Sequence, residues 1–201
     1  GLSGSVEGRY PAVGPFDAGF KLRRLETAQI QIDQLTLQAP DRQTEINGAG
    51  QWIPGAYGGD LQLTLDWKNL RWPLAQTPWF DSAYGNGSIE GNLDRYKVEL
   101  TTDRPWPQVP PSTWSARAEG NRSGLRVQSL QVSALEGEAT ATGEVNWSPA
   151  LNWRADIIAS DLNPGALWPR WPGRLNGTLS SDGKSDAGRL SVETTIKQLN
   201  G

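Results

Sequence analysis

The amino-acid sequence predicts an all-β protein: an elongated, strongly curved sheet of the antiparallel type with an open apolar groove, built from tandem repeats of about 85 residues. Three observations predict it. Apolar residues alternate with polar ones along most of the 201-residue chain, which is the period of a strand with one apolar and one solvated face. Long apolar runs, which buried parallel strands would carry, are missing. Blocks of sequence also recur in order, with glycine and alanine in the apolar phase, where a packed interior would carry larger side chains.

Taken in order, the first element contains "GSVEGRY" (4–10), of the form Gly-x-apolar-x-Gly-x-apolar, which returns as "GSIEGNL" (87–93) and "GRLNGTL" (173–179). The block "IQIDQLTLQAPDRQTEINGAGQWIP" (30–54) aligns without a gap with "LRVQSLQVSALEGEATATGEVNWSP" (125–149). This sets Ile30, Ile32, Leu35 and Leu37 against Leu125, Val127, Leu130 and Val132, and Gly48, Trp52 and Pro54 against Gly143, Trp147 and Pro149. Alternation slips by one residue at Asp33-Gln34 and again at Gln128-Ser129, which predicts a β-bulge at each. "DLQLTLD" (60–66), "YKVEL" (96–100) and "RLSVETTI" (189–196) read as further strands. Roughly a dozen strands of about six residues follow from this pattern. Helical signal is confined to "DLNPGALWP" (161–169), where Asn163 can cap and Pro164 holds the first helical position, and to a weaker counterpart, "NLRWPLA" (69–75); both are expected at one rim of the sheet. The Pro-rich "DRPWPQVPPSTW" (103–114) reads as an extra loop. The chain is thus one β-groove segment over 1–201, with repeat units of approximately 4–86 and 87–172 and the start of a third at 173–201.

Composition narrows the function. Cysteine and histidine are both absent, which removes thiol and Ser-His-Asp nucleophiles, disulfides and nearly all zinc sites. No Asp/Glu cluster has metal-ligand spacing and no phosphate-binding glycine loop precedes a helix, so no catalytic residue, metal or cofactor is expected and the chain reads as a non-enzyme. Asp66 and Asp161, equivalent in the repeat, are expected to be turn or cap residues. A net charge of -3 without a basic block argues against nucleic acid, and no stretch approaches a membrane span. With no signal peptide or initiator Met, the chain is expected to be a fragment of a longer one. The four Asn-x-Ser/Thr sequons, at Asn86, Asn121, Asn146 and Asn176, are read as accidents of a cysteine-free bacterial β protein rather than glycosylation sites.

The apolar phase is the informative feature. It comprises Val6, Tyr10, Ile30, Ile32, Leu35, Leu37, Ile46, Trp52, Leu61, Leu63, Leu65, Ile89, Leu93, Val98, Leu100, Leu125, Val127, Leu130, Val132, Val145, Trp147, Leu175, Leu179, Leu190 and Val192. Interleaved with it are Gly4, Gly8, Gly48, Gly50, Gly87, Gly91, Ala139, Ala141, Gly143, Gly173 and Gly177, which leave the face thin in volume. Of the ten tryptophans, Trp52 and Trp147 share this phase, while those in "RWP", "PWF", "PWP" and "LWPRWP" are expected to pack connections against the sheet ends.

On the repeated G-x-apolar-x-G, the G-x-x-x-W-x-P block, "LDWKNLRWPL" and above all "SDLNPGALWPRWPGRLNGTLSSDG", the chain resembles the TamB family within the AsmA-like group of bridge-type lipid-transfer proteins. The resemblance runs from Gly4 to the end. It implies a β-taco groove in the periplasm of a Gram-negative bacterium, with the inner-membrane anchor in another part of the chain. It implies that the apolar phase listed above lines a path for phospholipid acyl chains, and that a TamA-like outer-membrane barrel is the partner in outer-membrane biogenesis, engaged through parts not present here. A β-solenoid or adhesin with a closed dry core, or a carbohydrate-binding β protein, is the rival expectation.

Overall fold

The computed structural model describes all residues except 11–13, 26–27, 40–42, 74–76, 79, 105–109, 187–188 and 201; for residues 9, 10, 14, 72, 186, 189, 190 and 197–200 it describes the backbone. The chain is all-β. Its strands are β1 (Leu2–Tyr10), β2 (Gly14–Arg24), β3 (Ile30–Ala39), β4 (Thr44–Ile53), β5 (Asp60–Trp72), β6 (Phe80–Asn92), β7 (Arg95–Asp103), β8 (Ser112–Gly120), β9 (Gly124–Ala134), β10 (Gly137–Asn146), β11 (Asn152–Leu162), β12 (Leu175–Asp186) and β13 (Arg189–Asn200). They form one 13-stranded sheet in sequence order, which does not close on itself. At 9 to 13 residues the strands are longer than the six or so expected from the alternating stretches. Two compact units divide the chain, Gly1–Val109 and Pro110–Gly201.

Within each unit every described pairing is antiparallel, and the strands in substantial contact are sequence neighbours only. The described strands of each unit thus lie side by side in sequence order as one antiparallel layer. Local chemistry makes the hairpins. Leu135 and Glu136 both take positive φ, 51° and 62°, and close β9 onto β10 as a two-residue turn of the kind that matches strand twist. Asn92 Oδ1 accepts from the N–H groups of Asp94 (3.0 Å) and Arg95 (3.2 Å), and Asn121 Oδ1 from those of Ser123 (2.7 Å) and Gly124 (3.1 Å). These Asx turns end β6 and β8.

Both expected bulges are present. Lys21 pairs with Gln34 but Leu22 with Ile32, which leaves Asp33 as the extra residue; Arg117 pairs with Ser129 but Ala118 with Val127, which leaves Gln128. Arg23 pins the first bulge with a two-pronged pair to Asp33, both distances 2.7 Å. The hydrogen bonds from Arg23 hold the Asp33 carboxyl below its ordinary range, against a smaller desolvation effect in the other direction. The associated stabilisation is present above the carboxyl's unfolded pKa and fades as pH falls through the lowered folded one. Arg23→Gln is expected to return the Asp33 titration toward the ordinary carboxylate range, as followed by carboxyl carbon NMR; an unmoved midpoint would show that the pair does not hold the bulge in solution.

Several expectations are corrected by register. Ile32 pairs with Gly50 and Val127 with Gly143, so Gly143 occupies the position of Gly50, not that of Gly48 as the gapless alignment had it. The reason is turn length: residues 40–43 join β3 to β4, whereas 135–136 join β9 to β10. Trp147 consequently falls past the end of β10, not beside Trp52 on β4. Asp66 lies in the middle of β5, opposite Asn47 and Asn86, and is no cap. The counterpart of Asp161 (φ 53°) is instead Asn69 (φ 49°), each two residues past an equivalent strand pair. Residues 69–72 of the weaker helical turn belong to β5, and Leu74 and Ala75 lie outside the described residues. The firmer one is a 3-10 turn, Pro164–Ala166, whose Asn163 side chain accepts from the Gly165 N–H. A second 3-10 turn at Ala56–Gly58 had no sequence signal. In the Pro-rich loop, 105–109 lie outside the described residues, and Ser112–Trp114 open β8.

Candidate functional site

Directly paired residues of an antiparallel sheet share a face, so the registers assemble the apolar phase into rows that cross the strands. In the first unit these are Leu22–Ile32–Gly50–Leu63–Ile89–Val98, Phe20–Leu35–Gly48–Leu65–Gly87–Leu100 and Ala18–Leu37–Ile46–Trp67–Gly85–Thr102, with Ile30–Trp52–Leu61–Gly91–Tyr96 at one side. The second unit has Gly120–Leu125–Val145–Trp153–Gly183, Ala118–Val127–Gly143–Ala155–Ser181, Ala116–Leu130–Ala141–Ile157–Leu179 and Trp114–Val132–Ala139–Ala159–Gly177. Local alternation explains the rows: β10 and β11 switch between exposed and partly covered at every residue over most of their length.

Little of this face is buried among the described residues of either unit. Among the described residues the buried hydrophobic side chains are Ala39, Trp67 and Ala118; Thr102, Gly85 and Gly120 are also buried, and the other described members of the apolar rows keep part of their surface open. The opposite face is a polar ladder. Gln29, Gln51 and Gln62 hand hydrogen bonds from strand to strand and on to Glu90, while Arg126 pairs with Glu144 (3.5 Å) and Arg154 with Asp182 (2.8 Å). Such cross-strand pairs hold register with little net stability of their own.

The glycines prove to be receiving positions. A Cβ on Gly4 or Gly8 would stand 2.8 Å from the ring tip of Phe20 or Phe16, one on Gly85 2.2 Å from Trp67, and one on Gly183 2.1 Å from Trp153. Each glycine lets the aromatic ring of the neighbouring strand lie across it. The space at these four positions is thus filled, which at Gly4 and Gly8 corrects the expectation that glycine leaves the face thin in volume. Gly173 stands outside the pattern, ahead of β12 with nothing within 4 Å of a Cβ.

Of the residues assigned to the groove from sequence, nineteen stand in the rows just described or beside them: those of β3, β4, β5, β7, β9 and β12, with Ile89 and Val145. Val6 and Val192 are on β1 and β13 and exposed. Leu93 is in the β6–β7 turn, beside Gly58, because the Asx turn at Asn92 ends the strand. Trp147 points its indole N–H at the Arg122 carbonyl (2.7 Å), as Trp52 does at that of Gly58 (2.8 Å). The side chains of Tyr10 and Leu190 lie outside the described residues. Sequence reasoning missed Phe16, Phe20 and Leu22 on β2 and Trp153, Ala155 and Ile157 on β11. Alternation was visible in both strands; Ile158, exposed on the polar face, blurred the second.

One end of the first unit is tightly packed. Trp67 donates from Nε1 to Ser82 Oγ (2.9 Å), Thr102 Oγ1 lies 2.8 Å from the same hydroxyl, and Ser82 reaches Asp103 Oδ1 at 2.7 Å. Thr44 donates to the Asn69 carbonyl (2.6 Å). Thr44, Ser82 and Thr102 are fully buried with partners for their hydroxyls, as buried polar groups require.

An open antiparallel layer with a continuous apolar face and a polar ladder behind it defines the class: a β-sheet protein that presents an uncovered apolar surface. The family whose model matches is "TamB, N-terminal domain", over residues 43–201, from the start of β4 onward. The chain belongs to the TamB family. Membership points to a Gram-negative envelope protein with a TamB-type role in envelope protein or lipid assembly, in a family that works with TamA. No solved structure matches the chain. Among the described residues no helix is long and apolar enough to cross a membrane.

Proposed function

We propose that this chain is a hydrophobic-groove segment of a periplasm-spanning TamB-type protein that conducts phospholipid acyl chains between the inner and outer membranes and so supports outer-membrane assembly, without catalysis of its own. The observation that carries the reading is the uncovered apolar face: rows of side chains continuous across neighbouring strands, with three buried hydrophobic residues among those described. At about 0.8 kcal/mol per methylene, carrying a sixteen-carbon chain through water costs roughly 13 kcal/mol. An apolar row that crosses the strands removes most of that cost at each step. The small row Ala118–Val127–Gly143–Ala155, between rows that carry Leu125, Trp153, Leu130 and Ile157, is the floor on which an acyl chain lies. The inner-membrane anchor and the surface that meets a TamA-like barrel belong to other parts of the protein, and curvature over successive repeats makes the face a groove.

Photo-crosslinking residues placed in cells at Ile32, Leu63 and Val127 are expected to capture phospholipid, and those at Gln62, Lys97 and Arg126, on the polar ladder face, to capture none. Equal capture from the two sets would remove the lipid-conduit reading.

A further inference from the structure

The segment between β11 and β12 carries an apolar surface apart from the sheet faces. Leu167, Trp168 and Trp171 are exposed, the two indoles to 59% and 70%. Their ring centroids are 6.4 Å apart at 57°, and with Pro169 and Arg170 they line an open hollow of about 640 Å³.

The loop is built to hold them there. Asn163 caps the 3-10 turn, the N–H groups of Leu167 and Trp168 close on the Pro164 carbonyl (3.0 and 2.8 Å), and that of Trp171 closes on the Trp168 carbonyl (2.8 Å). Its base is tied to the β9–β10 turn: the Asn163 N–H donates to the Leu135 carbonyl (2.8 Å) and its side-chain amide to Glu136 (2.7 Å), and Arg174 reaches the carbonyls of Asp161 (3.2 Å) and Glu136 (3.5 Å). Pro164 is buried at that base. A loop so braced keeps its exposed indoles in place, so little ordering remains to oppose binding.

Charge selects the occupant. Arg170 lines the hollow, and between Asp161 and Asp182 the chain carries no carboxylate side chain, in a protein of net charge -3; Arg174 and the Glu136 carboxylate lie at the base of the loop. Indoles favour the boundary between hydrocarbon and water, where the ring is covered and the N–H stays wet, and an arginine beside them, here Arg170, favours anionic headgroups. We infer that the Trp168–Trp171 loop is an interfacial anchor that seats this part of the chain on an anionic phospholipid bilayer surface, a role separate from any passage of acyl chains along the sheet.

The test is flotation of the 201-residue chain with vesicles of phosphatidylcholine alone or with phosphatidylglycerol added. The chain is expected to float with the anionic vesicles and not with the neutral ones. Trp168→Ser/Trp171→Ser should lower partitioning roughly tenfold or more, and Arg170→Glu roughly fivefold on anionic vesicles. Trp147→Ser, at an exposed tryptophan held by the β8–β9 turn away from the hollow, should leave partitioning unchanged. Circular dichroism with an unchanged thermal midpoint establishes that the double variant is folded, and unchanged co-purified lipid separates the anchor from the groove. No flotation of the wild-type chain, equal flotation on both vesicles, or flotation unaltered in the double variant overturns the inference. So does a concentration-dependent dimer lost in that variant with vesicle binding intact, which would assign the indoles to a second copy of the chain.

Discussion

Val127→Asp is expected to keep its fold and lose its bound phospholipid. Val127 is partly open on β9, flanked in register by Ala118 and Gly143, and neither is large enough to seal a carboxylate from water. In a closed core an unpaired buried charge would cost several kcal/mol, enough to unfold a typical domain. On this face it stays hydrated while no lipid is present, and a destabilisation of about 1 kcal/mol is expected. An acyl chain crossing the same point must strip that water, at about 2–3 kcal/mol. Occupancy should then fall roughly 30- to 150-fold. Gln128→Asp is the control: it is the extra residue of the bulge and exposed, and should change neither the thermal midpoint nor the lipid measured by mass spectrometry of the purified chain. An unfolded Val127→Asp would mean a covered face, and a folded one with its lipid intact would mean that lipid does not pass this row.

The largest loss of stability is expected for Gly85→Val. A Cβ there would stand 2.2 Å from Cζ2 of Trp67 and 2.7 Å from the Thr101 carbonyl oxygen, so the indole must leave. Trp67 is 7% exposed and bonds the buried Ser82 hydroxyl, so moving it opens the packed end of the first unit. Overpacking and a displaced buried aromatic together cost on the order of 3 kcal/mol or more. That corresponds to a fall in the midpoint of roughly 6–12 °C for a chain of this size. Gly173→Val, with open space around it, should stay within about 0.5 kcal/mol of wild type. If the ring contact is the cause, Trp67→Leu should recover part of the loss in the Gly85→Val background, because the two changes share one space and are not additive. Equal midpoints for the two glycine variants would show that the indole does not lie on Gly85.

The same contrast between Gly85 and Gly173 shows how far local sequence reaches. Which residues share a face was legible at once, because side-chain direction in a strand depends only on the parity of position. Asp33 and Gln128 were found as bulges for the same reason, since one extra residue inverts parity wherever it falls. The Asn163 cap was legible because its partner, the Gly165 N–H, is two residues away. Cross-strand identity was not, because partners depend on the length of each turn. Residues 40–43 and 135–136 differ by two, and that difference moved Gly143 opposite Val127 and put Trp147 beyond the strand end. A glycine in the apolar phase is equally silent alone: Gly4 and Gly173 open the same sequence motif, yet one lies under Phe20 and the other under nothing. Composition and alternation determined that one face is apolar and the other polar. Only the tertiary structure decided how little of the apolar face is buried among the described residues of each unit, because coverage is a property of how strands far apart in the chain are brought together, and here the strands in substantial contact within each unit are sequence neighbours.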